Sequence, residues 1–297
     1  MYSTWRMCRV LQEHEYTICP ATYYRYLKRG FGPTDAELDQ AYAANRLFDL
    51  WVANRCVYGR RKLWKAARRS GWNIGRDQVD TLMKVLGIKG VLRKKTTRTT
   101  IPDPTSSRFA DHIQRAWKEA TRPNQWWVAD FTYVATECGF SYVSFVEDVY
   151  TREFLGFVVD DHPDRSLVIR ALRQAVATRR RQDPFFTTAG VIHHSDAGSQ
   201  YTSRDLRELL EEYEMEGSIG TVGDAYDNGL MESAIGLYKT EVIDFGDTRW
   251  RDSAHVEAVT AEWFWWYNHH RLHSSIGDIP PAEKYTNYSQ QSAPVAA

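Results

Sequence analysis

Residues 192–203 read IHHSDAGSQYTS, and the run AGVI (189–192) leads into them. A short apolar run bounded by turn-forming residues reads as a buried strand. This one ends on a lone carboxylate, Asp196, between Ser195, Ala197 and Gly198. A strand-end aspartate is most often a turn-former. An acid with such small neighbours also has room beside it for a ligand, so its partners decide between the two readings.

The pattern on either side is regular. Downstream, SRDLRELLEEYE (203–214) is a helix capped by Ser203, MEGSIGTV (215–222) a fifth strand, and DNGLMESAIGLYKTEVI (227–243) a helix with Asp227 or Asn228 as cap. Upstream, WWVADFTYVA (126–135) is a β-rich run. SYVSFVEDVY (141–150) alternates with period two, which places Val143, Phe145 and Val149 on one face. FLGFVVDD (154–161) is a third strand and SLVIRALRQAVATRRR (166–181) an amphipathic helix. Three strands, a helix, then alternating strand and helix is the order of an RNase H-like α/β domain.

In such a sheet the first and fourth strands are neighbours, so Asp130 and Asp196 meet at one edge. Glu232 sits one turn into the helix that follows the Gly/Asp/Asn-rich loop, with thirty-five residues between it and Asp196. Two aspartates and a glutamate from separate elements can hold two Mg²⁺ ions roughly 3.5–4 Å apart, because such ions take hard oxygen ligands. Glu147, Asp148, Asp160 and Asp161 are rival carboxylates, and Asp148 is read as closing the second strand. A Ser-His-Asp triad in HSD is excluded, since adjacent strand residues point to opposite faces. His193 and His194 read as strand-end residues lining the site or core. Lys239 lies seven residues after Glu232 on the same helix face. Gly236 between them leaves room for a DNA strand whose phosphate the lysine meets, the alternative being a solvent-facing cation.

The net charge of zero hides an asymmetry. Residues 51–100 carry fourteen Lys and Arg against two Asp, and residues 1–50 six against six, which leaves eighteen basic and thirty acidic side chains in 101–297. A block at +12 joined to one at −12 points to a polyanion partner for the first. No run of eighteen apolar residues exists and MYSTWRMCRVLQEHEY lacks an apolar signal core, so a cytoplasmic, nucleoid-associated protein is expected. The basic block is helical: DAELDQAYAANRLFDLWVANR (35–55) with Asp35 as N-cap, YGRRKLWKAARRSG (58–71) closed by Gly71, and NIGRDQVDTLMKVLGIKG (73–90) closed by Gly87 or Gly90. Helix, turn, helix in a basic context is a DNA-binding pattern, although three-helix units also serve as plain bundles. Candidate DNA contacts are Arg60, Arg61, Lys62, Lys65, Arg76, Lys84, Arg93, Lys94 and Lys95. LRKKTTRTTIPDPTSSR (92–108) reads as a basic linker that buries little.

Taken together, NQWWVADFTYVAT, FVEDVYTREFLGF, HHSDAGSQYTS, TVGDAYDNGLMESAIGLYKTEVI and WWYNHHRLHSSIGDIPPAEKY resemble the orfB-type transposases of the IS-three family, in the DDE integrase superfamily. VYGRRKLWKAARRSG and LMKVLGIKGVLRKK are similar to that family's helix-turn-helix region. The resemblance runs from about Cys8 to Tyr285. It implies an RNase H-like catalytic domain behind an all-α DNA-binding region, with Asp130, Asp196 and Glu232 binding two Mg²⁺, or Mn²⁺ in its place. It implies cleavage at terminal inverted repeats and strand transfer by transesterification, on end and target double-stranded DNA, by a homo-oligomer that is often fused to the upstream orfA product. Tyr226, Asn228, Asn268, Arg271 and His273 match its motifs as supporting residues, while Trp263, Trp266 and Tyr267 read as aromatics docking the last helix on the sheet. The expected organisation is a helical segment (1–33), a helix-turn-helix domain (34–92), a linker (93–123), a catalytic domain (124–285) and a flexible tail (286–297).

Overall fold

The computed structural model describes residues 3–30, 32–93, 109, 111–113, 116–220, 228–246 and 248–292. Lys94, Lys95, Tyr226 and Asp227 lie outside them. The chain opens with α1 (Thr4–Glu13) and α2 (Pro20–Lys28), then α3 (Asp35–Ala53), α4 (Arg60–Arg69) and α5 (Arg76–Leu86). Pro20 stands in the first turn of α2, where its missing N–H costs nothing. Thr34, not Asp35, caps α3. Its hydroxyl accepts from Glu37 N at 3.2 Å, and the Glu37 carboxylate accepts from Thr34 N at 2.7 Å. This reciprocal box leaves Asp35 in the first turn, complementing the helix dipole. Gly87 closes α5 in the left-handed region, φ 65°. Ala44, Leu47, Leu63, Ala67, Val79, Leu82 and Met83 form the interior of the three-helix unit.

Five strands follow: β1 (Trp126–Thr136), β2 (Gly139–Asp148), β3 (Phe154–Asp160), β4 (Ile192–Ser195) and β5 (Glu216–Ile219), in the order β3-β2-β1-β4-β5. The first three form an antiparallel meander. β4 and β5 add in parallel through α6 (Arg165–Gln182) and α7 (Arg204–Glu212). Alternation along β1 feeds two cores. Trp127 and Ala129 pack with Leu172, Val176 and Leu206 of α6 and α7. Trp126, Val128 and Val134 face α8 (Gly229–Tyr238) and α9 (Ser253–His269). Trp263 and Tyr267 dock α9 on the sheet against Phe145 and Phe154, as the aromatic pattern implied. Trp266 instead meets the Tyr58 ring of the helical unit at 6.0 Å.

Four expectations are corrected. The helix carrying Glu232 is α-helical only to Tyr238, and Lys239–Ile243 form a π-helical turn, with Thr240 Oγ1 bonded back to Gly236 O at 2.7 Å. α9 is not the last helix, because α10 (Pro281–Ser292) follows and reaches into the span expected to be a flexible tail. Described parts of the linker are packed: Ile113 is buried, His112 N donates to Ser218 Oγ at 3.0 Å, and a 3-10 turn at Trp117–Glu119 sets the Trp117 ring edge-on to His194. Finally, the basic helix α4 is half used up against the catalytic half of the chain. Leu272 N donates to the Tyr58 hydroxyl at 2.7 Å, Arg61 and Lys65 each approach Asp278 at 3.4 Å, and Arg69 pairs with Glu283.

Lys62 lies in this seam, its ammonium 5.1 Å from the centre of the Tyr58 ring. Burial, then the charge of Arg271, pushes its pKa down to about 7. Between about pH 7 and its ordinary value of 10.5 the folded chain therefore binds fewer protons here than the unfolded chain. Stability contributed at this site accordingly rises with pH across that window. Lys62→Met removes the buried charge but keeps the stem. Urea unfolding from pH 7 to 10 should show a rising midpoint for the wild type and a flatter one for the variant.

Candidate active site

The register of β4 on β1 sets the geometry. Val128 pairs with His194 in parallel, and β4 ends at Ser195, so the chain leaves the strand at Asp196 beside the β1 segment that carries Asp130. Trp126 and Val128 face α8, and Asp130 shares that face by the two-residue period. Glu232 comes to it on the first turn of α8. Burial drives the Asp130 carboxyl well above the usual range, the charges of Asp196 and Glu232 add to this, and Lys239 opposes it. The charges of three further sequence-predicted residues, Asp196, Glu232 and Lys239, thus all act on Asp130. Asp196 is raised as well, chiefly by burial.

Each aspartate is held by one oxygen. Asp130 Oδ1 accepts from Phe131 N at 2.8 Å and Asp196 Oδ1 from Gly198 N at 3.0 Å. A Cβ on Gly198 would stand 3.0 Å from that Asp196 oxygen, which explains the small residue two positions on. Asn228 precedes α8 without capping it. Its Nδ2 bonds Ala129 O at 3.3 Å and ties the helix start to the strand residue before Asp130. Lys239 sits with its ammonium 5.4 Å from the Tyr133 ring centre. Gly236 does not leave open space. A Cβ there would overlap the Arg93 guanidinium, which donates to Glu232 O at 3.3 Å.

The other candidates distribute differently. Arg60 and Lys84 both pair with Asp80, at 3.6 and 2.9 Å, and Arg76 with its neighbour Asp77 at 3.8 Å. Asn268 clamps β3, with Oδ1 accepting from Phe154 N at 3.0 Å and Nδ2 donating to Phe154 O at 2.8 Å. Arg271 grips both oxygens of Glu241, and its Nη1 lies 3.2 Å from His273 Nε2. Both Arg271 and His273 line a cavity of roughly 1050 Å³ on another side of α8, with Lys62, Glu147 and Arg152. Burial raises Glu147 to about 7 there and lowers His273 well below its usual range. These three motif residues therefore brace the fold. Sequence reasoning missed Tyr58 and Glu241, whose partners lie 214 and 30 residues away. No local pattern marks either one.

Asp148 is the turn-closer it was read to be. It is fully buried, accepting from Thr151 N and Oγ1 at 2.8 and 2.9 Å and from Asn124 N at 2.6 Å, with Arg179 Nη2 3.7 Å away. His193 and His194 are buried. Burial holds His193 down to about 4, and His194 Nδ1 lies 2.9 Å from Ser218 Oγ.

A mixed sheet of this order with acids gathered on β1, after β4 and on α8 defines the RNase H-like, integrase-core class. The sequence profiles agree: an integrase core domain matches residues 120–225, a second integrase core profile residues 213–281, and an HTH-like domain residues 37–96. The chain is similar to the transposase for insertion sequence element IS986/IS6110 of Mycobacterium tuberculosis, 43% identical over 94% of this chain and 99% of that one. It is also similar to the transposase for IS629 of Shigella sonnei, 39% identical over 92% and 90%. The chain belongs to the IS-three family of insertion-sequence transposases. Among the described residues no helix is long and apolar enough to cross a membrane.

The two kinds of buried acid predict opposite responses to neutralisation in metal-free protein. Asp148→Asn removes the charge that accepts from Thr151 and Asn124 while Arg179 keeps Glu153 at 2.8 Å, and should cost about 1–3 kcal/mol. Asp130→Asn relieves a desolvated, repelled carboxylate and should raise the melting temperature by about a few degrees. Calorimetry in chelator checks both signs.

Proposed function

We propose that this transposase cleaves insertion-sequence ends at their terminal inverted repeats and joins the resulting 3′-hydroxyl to DNA, with Asp130, Asp196 and Glu232 as the ligands of two divalent cations, Mg²⁺ or, as a substitute, Mn²⁺. What supports this is the placement of half-buried Asp130 on β1, half-buried Asp196 just past the end of β4, which pairs with β1, and Glu232 on the first turn of α8, near enough that the charges of Asp196 and Glu232 push the Asp130 carboxyl up while Lys239 opposes them. A donor set of carboxylate oxygens with one atom of each aspartate already fixed suits a hard divalent cation. Among the described residues, no three acidic, histidine or cysteine side chains form a ready-made cage. An open arrangement fits a site that phosphate and water must complete. Two ions bound there would supply Lewis acidity to the attacking and leaving oxygens of an in-line displacement.

The chain's own groups supply placement. The Phe131 and Gly198 amides orient the aspartates, Asn228 sets the start of α8 and with it Glu232, and Lys239 contributes positive charge for a phosphate. The same reading has the basic helical region hold double-stranded DNA, end and target alike, and has the protein work as a homo-oligomer in the cytoplasm, at the nucleoid, alone or fused to an upstream orfA product.

Asp196→Asn keeps size and loses charge. Both cleavage and joining should fall by about three orders of magnitude, on the order of 4 kcal/mol, while duplex binding persists. Products from labelled inverted-repeat DNA in Mg²⁺, resolved on a denaturing gel at equal DNA occupancy, decide it. Near wild-type cleavage by the variant would remove Asp196 from the site. Cleavage by the wild type without any joined product would leave a nuclease of the same fold.

A further inference from the structure

We propose that the cavity bordered by α4 and α8 is a binding site for a phosphate group, carried by a DNA strand or by a free nucleotide, with Lys62 and Arg152 as the cations that hold it. Its volume of roughly 1050 Å³ is at the upper end of sites for small molecules, so the phosphate belongs to a larger ligand. α8 contributes apolar side chains, Leu230, Ala234 and Leu237. The charged ones come from three other places. Lys62 stands on α4, Glu147 and Arg152 at the end of β2 and in the turn after it, and Arg271 and His273 in the segment after α9. None of the three proposed metal ligands lines the cavity.

Two of these cations have donors to give. Among the described residues the Arg152 guanidinium makes no hydrogen bond, and its acidic neighbour, Glu147 Oε1, stands off at 3.9 Å. Its side chain is 19% exposed, so the space it reaches is the cavity that it lines. Arg152 also holds φ 63°, a left-handed conformation that glycine adopts more easily. Such held positions recur at ligand clamps. The Lys62 ammonium lies over the Tyr58 ring, and the acids that act on it are already engaged, Glu241 by Arg271 and Asp278 by Arg61 and Lys65. The acid beside Arg152 competes weakly for it. Burial raises Glu147 to about 7, so near neutral pH its carboxyl is charged only part of the time. The cations meanwhile crowd one another. Burial, then the charges of Arg271, Lys62 and Arg152, hold His273 well below its usual range. An anion among them offsets that repulsion, whereas an amine would add to it. Arginine supplies a planar fork that matches phosphate oxygens, and lysine a movable point charge. Exposed Ser274 and Ser275 add hydroxyl donors.

The test is titration calorimetry of the full chain with inorganic pyrophosphate, in chelator so that no divalent cation bridges the probe to the acids. One molecule should bind per chain. Arg152→Gln and Lys62→Met should each weaken binding about tenfold or more, the loss of one contact to a charged group. Glu147→Gln removes a competing charge and should bind as tightly as wild type or more tightly. Arg76→Gln, on α5 and outside the cavity, should change nothing. Circular dichroism checks that each variant is folded, and Lys62→Met, which removes a charge from the seam, keeps the test decisive if another variant is not. A short duplex and ATP then serve as competitors. Displacement by the duplex alone assigns the phosphate to DNA, and displacement by ATP to a free nucleotide. The DNA source rests on the function proposed above, but the binding does not, because no cleavage is read. The site is overturned by absence of pyrophosphate binding, by equal binding in Arg152→Gln and Lys62→Met, by an equal loss in Arg76→Gln, by weaker binding in Glu147→Gln, or by displacement with neither competitor.

Discussion

The parallel pairing of β4 with β1 is the constraint on which the site rests. β4 is four residues long, yet its parallel pairing with β1 decides where the chain delivers Asp196 relative to the strand that carries Asp130. Everything nearby serves that placement. Trp127 and Trp126 anchor β1 from opposite sides, and the buried rings of His193 and His194 fill the two faces of β4. α7 and β5 hold β4 from beyond. A sheet that takes two half-buried acids partly out of water forgoes stability at this point, as functional sites commonly do. The surrounding aromatic packing of Phe145, Phe154, Tyr238, Trp263 and Tyr267 offsets the loss with large apolar contact at the same sheet.

The basic block shows why charge count and charge availability differ. Its summed charge is far from neutral, but α4 spends Arg61, Lys65 and Arg69 on acids of the segment before and within α10, and Lys62 on the inside of the seam. These partners lie more than two hundred residues downstream, beyond the reach of any local pattern. Arg60 and Lys84, paired with Asp80 on the outer side, keep exposed side chains. The charge the helical unit presents is therefore smaller than the sequence total, and the two cations of α5 are both paired with acids of that same helix.

What was legible in the sequence follows the same division. The order of strands and helices, the Ser203 cap, the inward face of β2 and the turn-closing role of Asp148 all rest on periods of two or 3.6 and on residues a few positions apart. The expected grouping of Asp130, Asp196 and Glu232 rested on element order, one rule about neighbouring strands, and the family resemblance. What escaped was long-range or cooperative. The cap shifted to Thr34 because Glu37 could reciprocate. The helix after Glu232 widened into a π-turn where Thr240 bonds back to Gly236 O. Gly236 suggested room for a ligand, and an arginine from the far side of the chain occupies it.

That last contact makes α8 the element where the chain's parts meet. On one face its first turn brings Glu232 to the aspartates. In its middle, Gly236 receives Arg93, the last described residue after the helical unit, and Arg93 bonds the carbonyl of Glu232 itself. Another side of α8 borders the cavity shared with Lys62 and Arg271, and Glu241 in the following π-turn anchors Arg271 in the seam. A displacement of the helical unit on the sheet therefore has a short physical route to the acid on α8. It runs through one guanidinium at the front of the helix and one buried ion pair at its end. Arg93 at the Glu232 carbonyl and Tyr58 at the Leu272 amide, next to the Arg271–Glu241 pair, are where the helical unit touches the surroundings of α8.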